Sequence, residues 1–409
     1  MEITRKARAT LVAALLTLVA VPALGDVAIR VATFNLEDVR TAELLDPSNE
    51  RLRRLAEVIQ RIRPNVILLN EIAYDEEGAP DVPEGATPGQ NATRFVDNFL
   101  SHPQAPGLTP ITYHAFMRRS NTGLPSGFDL DRSGDVVTDY PPPGTDAEAA
   151  RKYGGDCWGY GEFPGQYAMA LLVDDRLDIL DKRARTFRLF PWVYMPGALR
   201  PMVPGTAVPW YDGDAGDRMR LSSKSHWDVP VEIPGGAVVH FLCAHPTPPA
   251  FDGPEGRNKR RNHDEIRFWA DYLEDAEYLI DDDGRPGGLA KDARFVILGD
   301  MNADPDEGSS MYNPIARLLL DSPRVARVEA PTADVEVEGL DPDDTSHFRL
   351  RVDYVLPSTG IKVLRSGVWR TPPTLGADDD GQAKFPSDHY PVWADLVIPT
   401  PTAGGDSGD

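Results

Sequence analysis

The sequence is poor in cysteine, and only Cys157 and Cys243 occur among its 409 residues. In an exported protein the two could form one disulfide, but two buried free thiols fit the sequence nearly as well, because spacing alone says nothing about their separation. The eight histidines show no clustered spacing with cysteine, so the pattern of a Cys/His zinc site is missing. No Gly-x-Ser-x-Gly motif occurs, which argues against a serine hydrolase with a nucleophile elbow.

Positive charge is also scarce in this chain. There are 42 Lys and Arg residues against 64 Asp and Glu residues, which gives a formal net charge of −22. A protein that coats nucleic acid needs a basic surface to displace counterions, so this balance argues against a passive nucleic-acid coat. It still permits an enzyme that has a local basic pocket.

Long hydrophobic runs are absent except near the N-terminus. Arg5, Lys6 and Arg8 precede the apolar stretch LVAALLTLVAVPALG, which ends in small residues. This order is typical of a secretory signal peptide, and we expect residues 1–25 to be removed. The expected location is secreted or periplasmic, with no stable membrane association after cleavage and no protein partner. The composition of residues 399–409 predicts a disordered tail.

Between these ends, strand and helix patterns alternate loosely with runs of consecutive strands. They predict one α/β domain over residues 26–398, a four-layer sandwich of two mostly antiparallel sheets flanked by helices. Two loop insertions are expected near residues 118–166 and 191–230. The predicted helices are 48–64, 92–100, 258–280 and 311–320. The predicted strands are 27–35, 65–71, 111–117, 167–173 with a continuation at 184–190, 237–245, 295–298, 351–356, 363–369 and 390–398.

Polar side chains stand where several of these apolar strands leave the core. A carboxylate at a strand end must be solvated, paired or bound to a metal, because burying it alone costs too much free energy. A single solvated acid would explain any one position, but the set is too large for that explanation, and strand ends can converge on one site. The set consists of Asn35, Glu71, His245, Asp300, Asn302, Asp353, Asp388 and His389.

The segments that carry these residues are ATFNLE, VILLNEI, AHPTPP, VILGDMNADP, RVDYVL and SDHYPV. Together they resemble the endonuclease/exonuclease/phosphatase superfamily, the DNase I-like metal-dependent phosphoesterases. The likeness spans residues 31–397, in the family's order. It implies a four-layer sandwich, a phosphoester substrate, which is a small molecule or a nucleic acid, and Mg²⁺ or Mn²⁺ as cofactor.

The resemblance also implies roles for individual residues. Glu71, Asn35 and Asp388 would lie at the metal. Asp300 and Asn302 would position the attacking water and the phosphate, and His389 would act in acid–base chemistry. Asp353 would orient His389, because Asp388 is its chain neighbour and neighbouring side chains in an extended chain point in opposite directions. His245 matches a second histidine found in some members of the family.

Three other predictions concern the surroundings of this site. The basic start of the helix at 258–280 suggests a phosphate-binding patch that includes Arg257 and Arg261, since helix N-termini attract anions. Gln166 and Tyr167 are further candidates for substrate binding. The run DLDRSGD partly matches a calcium loop, so Asp129, Asp131, Ser133 and Asp135 could hold a structural Ca²⁺, or could simply form an acidic turn.

The sequence therefore predicts an exported phosphoesterase that hydrolyses phosphodiester or phosphomonoester bonds through a metal-activated water. A nonspecific extracellular nuclease acting on DNA or RNA is the first alternative. A non-catalytic binding module on the same fold is the second, although every catalytic position carries a chemically competent residue.

Overall fold

The computed structural model describes residues 25–376 and 384–400. Apart from Gly25, the predicted signal peptide lies outside this range, as does nearly all of the predicted tail, so both stay predictions. Within the described residues, no helix combines the length and the apolar character that crossing a membrane requires.

Twelve strands and six α-helices make up the described fold. The strands are β1 (Val27–Val39), β2 (Val66–Ile72), β3 (Tyr113–Phe116), β4 (Met169–Asp174), β5 (Asp178–Ile179), β6 (Arg185–Thr186), β7 (His226–Ile233), β8 (Ala237–Ala244), β9 (Arg294–Asp300), β10 (Asp353–Pro357), β11 (Lys362–Val368) and β12 (Val392–Ile398). The helices are α1 (Thr41–Leu45), α2 (Glu50–Ile62), α3 (Asn91–Phe95), α4 (Ala147–Gly155), α5 (Gly213–Arg218) and α6 (Arg257–Leu273). Short π-helical turns follow at Val96–Leu100 and Ile315–Leu320.

The strands form two sheets. One has the order β11-β12-β1-β2-β4-β3, and the other has the order β10-β9-β8-β7-β5, with β6 also paired to β7. All pairs are antiparallel except β1 with β2 and β8 with β9. Helices flank the two sheets, so the predicted four-layer α/β sandwich is confirmed.

The sequence of β9 shows how the layers are built. Successive side chains of a strand point to opposite faces of its sheet. Val296 and Leu298 pack in the core between the two sheets, whereas Phe295 and Ile297 pack in a second core with residues of α6. Both faces of the strand are therefore covered, which explains why it reads as a continuous apolar run.

Helix α2 buries the apolar stripe that its sequence predicts, since Leu52, Leu55 and Ile59 are fully buried. Asn49 caps the helix, and its side-chain oxygen accepts the Leu52 amide at 3.0 Å. This is an ordinary capping contact, which offsets the missing partner of a first-turn amide.

One strand was missed because it contains a proline. Strand β7 includes residues assigned from sequence to the loop 191–230, and Pro230 lies within it. Its partners β5 and β6 pair with residues on either side of Pro230, and Leu180 donates its amide to the Pro230 carbonyl at 2.9 Å. Pro230, which has no N–H to donate, therefore lies at the gap between β5 and β6, where neither strand pairs with it.

The two cysteines do not pair. Cys157 and Cys243 are both buried free thiols. Cys243 lies in the core between the sheets, and burial raises the pKa of both thiols. They serve as small apolar side chains.

Candidate active site

Strand β1 and the ends of β2 and β9 bring an amide and two carboxylates together. The Asn35 side-chain nitrogen donates to Glu71 Oε1 at 3.2 Å and to Asp300 Oδ2 at 3.1 Å. Asn35 and Glu71 belong to one sheet and Asp300 to the other. The site therefore lies where the two sheets meet, and one amide spans between acids from both of them.

The backbone at two of these strand ends is unusual. Glu71 has φ +61° and Asn302 has φ +50°, the left-handed region that side chains other than glycine seldom adopt. The turn at Asn302 brings its amide to Asp300 Oδ1 at 2.8 Å, and the Asn302 side chain donates to the Pro246 carbonyl at 3.2 Å. These contacts fix the Asp300 carboxylate rather than leaving it to rotate in solvent.

A histidine and an acid form the second half of the site. His389 Nδ1 lies 2.9 Å from Asp353 Oδ2, and that oxygen also accepts the Thr345 hydroxyl at 2.8 Å. Asp388 is 45 % exposed at the rim, with Oδ1 3.9 Å from His389 Nε2. Asp353 is thus the residue placed to orient His389, and Nε2 is left to face Asp300 at 3.8 Å.

The charges around His389 decide its protonation. Burial alone would lower its pKa, but the carboxylates of Asp353 and Asp300 outweigh that effect and raise the pKa of His389 to about 10. The ring is therefore an imidazolium at neutral pH. It can donate a proton or a hydrogen bond, but it cannot serve as a base in that state.

The pKa shifts of Asp300 and His245 favour the neutral form of each side chain, whereas the shift of His389 favours its charged form. Burial, with a smaller effect of the nearby Asp353, raises the pKa of Asp300 to about 7. His245 Nε2 lies 3.4 Å from Asp300 Oδ2, and burial holds the pKa of His245 well below its ordinary value. The site thus combines a charged histidine, a neutral histidine and a carboxyl group that titrates near neutrality.

The donor set fits a hard divalent cation. Glu71 and Asp300 make no salt bridge to a lysine or arginine anywhere in residues 25–376 and 384–400, and burial raises the pKa of both carboxyls. Mg²⁺ and Mn²⁺ take oxygen ligands and need few carboxylates from the protein. Asp300, Asp353 and His389 also place ligand atoms within 4.8 Å of one another, but a protonated histidine cannot ligate a metal. Glu71 and Asp300 are therefore the residues that would hold the ion. Asn35 turns its side-chain nitrogen toward both acids, and its side-chain oxygen accepts the Glu37 amide at 3.0 Å, so in this orientation it positions the carboxylates. The metal role of Asp388 stays a prediction.

A cleft of about 910 Å³ opens from this centre. Glu71, His245 and Tyr167 are among the residues that line it. Helix α4, which belongs to the insertion at 118–166, supplies Arg151 and Lys152 to the same cleft. The insertion thus forms part of the wall of the cleft.

Two of the predicted substrate-binding residues are used inside the fold. Gln166 is fully buried, and its amide donates to both carboxylate oxygens of Asp38 at 3.1 Å. Arg261 is only 7 % exposed, although it is among the residues that line the cleft. Its guanidinium donates to the carbonyl oxygens of Leu221, Trp158 and Arg220.

The expected anion patch at the start of α6 is also partly occupied by the protein. The backbone amides of Asn258 and Lys259 donate to the carboxylate of Asp252 at 2.7 and 3.0 Å. The helix N-terminus therefore already has its anion. Arg257 and Tyr167 do line the cleft, where a ligand could reach them.

Other residues of the site carried no recognised signal in the sequence. The Asn70 side-chain oxygen accepts the Asp300 amide at 3.3 Å, and Asp38 donates its amide to Glu71 Oε2 at 3.2 Å. Thr345 lies on an irregular loop, and its contact with Asp353 is apparent only in the three-dimensional structure. Lys224, which precedes β7, lines the cleft beside Glu71.

The proposed calcium loop is a cluster of acids around a tight turn. Asp129 and Asp131 come within 4.8 Å of Asp156, a third acid that the sequence motif did not include. Backbone amides of Ser133 and Gly134 already donate to these side chains, at 2.9 Å for each contact. The backbone amides thus already provide partners for these carboxylates without an ion, and calcium binding stays a prediction.

The calcium prediction has a direct thermal test. If the loop binds Ca²⁺, adding the ion should raise the melting temperature of the wild type, because a ligand that binds only the folded state stabilises it. The double variant Asp129→Ala with Asp131→Ala should lose that response. A wild-type melting temperature that does not respond to Ca²⁺ or to chelation would remove the prediction.

Comparison with known proteins agrees with this geometry. The model of the Endonuclease/Exonuclease/phosphatase family matches residues 32–389, and the chain belongs to that family. Members of this family are metal-dependent phosphoester hydrolases. A search of curated proteins finds no match.

Solved structures with a similar fold include an endonuclease/exonuclease/phosphatase from Beutenbergia cavernae, at 18 % identity and TM-score 0.47, covering 90 % of this chain and 71 % of the other. A mannosyl-6-phosphatase from Bacteroides thetaiotaomicron matches at 12 % identity and TM-score 0.44, covering 90 % and 100 %. TDP2 from D. rerio, complexed with a single-strand DNA product, matches at 11 % identity and TM-score 0.42, covering 90 % and 98 %. These distant likenesses say nothing about the substrate of this chain.

Proposed function

We propose that the chain hydrolyses small phosphodiesters or phosphomonoesters. The observation that carries the proposal is the convergence of two histidines on one carboxylate, with His245 Nε2 3.4 Å and His389 Nε2 3.8 Å from Asp300 Oδ2. The pKa of Asp300 is raised to about 7 and that of His389 to about 10. Sites that move protons at neutral pH need such a pair.

The residues divide the chemistry between them. Asp300, once ionised, accepts the proton of the attacking water, and Asn302 helps to hold the phosphate. His389, held in one orientation by Asp353, hydrogen-bonds the leaving oxygen through Nε2 and gives it a proton as the bond from that oxygen to phosphorus breaks and the water oxygen bonds to phosphorus. A divalent cation held by Glu71 and Asp300 would supply charge neutralisation at the phosphate and lower the pKa of a bound water.

The form of the cleft favours a compact substrate. A volume of about 910 Å³ is in the range of small-molecule sites, roughly 300–1,000 Å³. Its walls include α4 from the insertion and the chain around Phe251, a side chain that is 91 % exposed. The net charge of −22 also disfavours approach of a long polyanion at low ionic strength.

A substrate panel tests the proposal. With Mg²⁺ or Mn²⁺, activity per bond on bis-p-nitrophenyl phosphate, phosphomonoesters and phospholipid head groups is compared with activity on DNA and RNA. We expect at least one small ester to match or exceed duplex DNA, and KM for it to depend weakly on salt, because one phosphate releases few counterions.

Two results would contradict this expectation. A preference for DNA of about a hundredfold or more, with a steep dependence on salt, would identify a nuclease that grips many phosphates. Inactivity on every ester, with either metal, would favour a binding module on the same fold.

A further inference from the structure

Lys224 is a buried lysine beside the proposed catalytic centre. It lies in residues 222–225, all buried, just before β7, and is only 6 % exposed. Its carbonyl accepts the Asn121 amide at 3.0 Å, which fixes its backbone. Its side chain lines the same cleft as Glu71 and His245.

The ammonium group of Lys224 has no partner in the part of the chain that the structure describes. It makes no hydrogen bond or salt bridge there. Burial lowers the pKa of Lys224, and the charges of Glu265, Glu71 and Asp300 oppose that shift and favour the ammonium form. Glu265 is already used, because its carboxylate accepts the Ser223 amide and the Thr247 amide, each at 2.6 Å. The donors of Lys224 are thus left to the cleft.

The two other acids are engaged in the same way. Glu71 accepts from the Asn35 amide group and the Asp38 backbone, and Asp300 accepts from Asn35 and the Asn302 backbone. The three acids therefore lower the free-energy cost of burying the Lys224 ammonium group, but none of them forms a hydrogen bond with it. Burying a charge with no bonded partner is unfavourable, so a lysine held in this way indicates a partner that enters the cleft.

We infer that Lys224 is a substrate-contacting residue whose ammonium group binds a non-bridging oxygen of the scissile phosphate. The inference rests on the proposed function and adds a residue that the sequence motifs do not contain. A cation held at Glu71 would repel Lys224, whereas an anionic phosphate between the two would offset both positive charges. A neutral ligand would leave that repulsion in place.

The test compares Lys224→Met, which keeps the length and removes the charge, with Lys224→Arg, which keeps the charge. For the best small ester, we expect Lys224→Met to lower kcat/KM by about 10²–10³-fold, the usual loss when one donor to a developing oxyanion is removed. The Ki for inorganic phosphate should rise by about tenfold or more, and Lys224→Arg should recover part of both losses. The matched control is Lys182→Met, because Lys182 is exposed and distant in sequence from every site residue.

Stability separates this role from a merely structural one. Since Lys224→Met removes an unpaired buried charge, its melting temperature should equal or exceed that of the wild type. A kcat/KM within about threefold of the wild type, together with an unchanged phosphate Ki, would overturn the inference. A large loss of stability would also overturn it, because it would show that the fold itself needs the ammonium group.

The inference can also be separated from the proposed function. Stabilisation of the Mg²⁺-loaded protein by inorganic phosphate is measured by thermal unfolding, which needs no turnover. If the wild type hydrolyses no ester but shows a phosphate response that Lys224→Met abolishes, the phosphate site stands and the proposed function fails. If the wild type hydrolyses esters and Lys224→Met responds to phosphate as the wild type does, only the inference on Lys224 fails.

Discussion

Replacing Asp300 with Asn is expected to lower kcat/KM for the best ester by about 10²–10⁴-fold, the range for loss of a general base. The amide keeps the size of the side chain and one acceptor oxygen, so the contact with the Asn302 amide can survive. The amide cannot accept the proton of the attacking water, and it is a weaker ligand for a divalent cation. Steady-state kinetics at saturating Mg²⁺ or Mn²⁺ measures the effect.

The same substitution should stabilise the metal-free protein at about pH 8. Burial raises the pKa of Asp300 to about 7, so the folded state favours the protonated acid. For an acid with a raised pKa, folding stability falls as pH rises from the unfolded value, near 3.9, through the folded one. The variant has no such group, so its advantage in melting temperature should be largest above neutrality and shrink toward about pH 4.

Asp178→Asn is the control, because Asp178 is an exposed acid on β5. It should change neither activity nor the pH dependence of unfolding. Asp300→Asn with activity close to the wild type would end the assignment of Asp300 as the base. A variant that melts below the wild type at every pH would show that the carboxylate is needed for the fold.

The fold was predictable from sequence because its strands are covered on both faces. Continuous apolar runs such as Phe295–Leu298 are readable without any structure, and the amphipathic stripe of α2 has the regular spacing of a helix. The order of the motifs then fixed the class. Strand β7 was not predicted because Pro230 is typical of a loop. The structure explains why a strand forms there, since β5 and β6 pair with β7 on either side of Pro230.

The site was predictable where chemistry follows a strand end, and not where it depends on contacts between distant segments. Asp300 and Asn302 stand directly after an apolar run, so the sequence signals them. Thr345 and Lys224 lie in irregular segments, and their roles depend on burial and on which charges face them. Arg261 shows the reverse case. Its charge predicted a phosphate-binding role, but in the structure its guanidinium donates to three backbone carbonyls.

His389→Gln provides the second large expected effect. We expect kcat/KM to fall by about 10²–10⁴-fold, since the glutamine amide can donate a hydrogen bond but carries no charge and no transferable proton. The glutamine amide could still donate a hydrogen bond to Asp353, so the fold should persist. Asp353→Asn should reproduce part of this loss, because it removes the carboxylate that orients the ring at 2.9 Å and favours its charged form.

The charge on His389 gives this prediction a second readout, which is the stability of the metal-free protein. The pKa of His389 is raised to about 10 by Asp353 and Asp300 against the effect of burial. A histidine with a raised pKa adds stability that is fully present below its unfolded pKa, near 6.5, and is lost as pH rises through the folded pKa. The stability advantage of the wild type over His389→Gln should therefore be greatest at about pH 6 and disappear toward about pH 10. Urea unfolding across that range, in the presence of a chelator, measures it. An advantage that grows with pH would mean that the ring is neutral in the folded protein, and His389 would then have to act as a base rather than as the donor proposed for it.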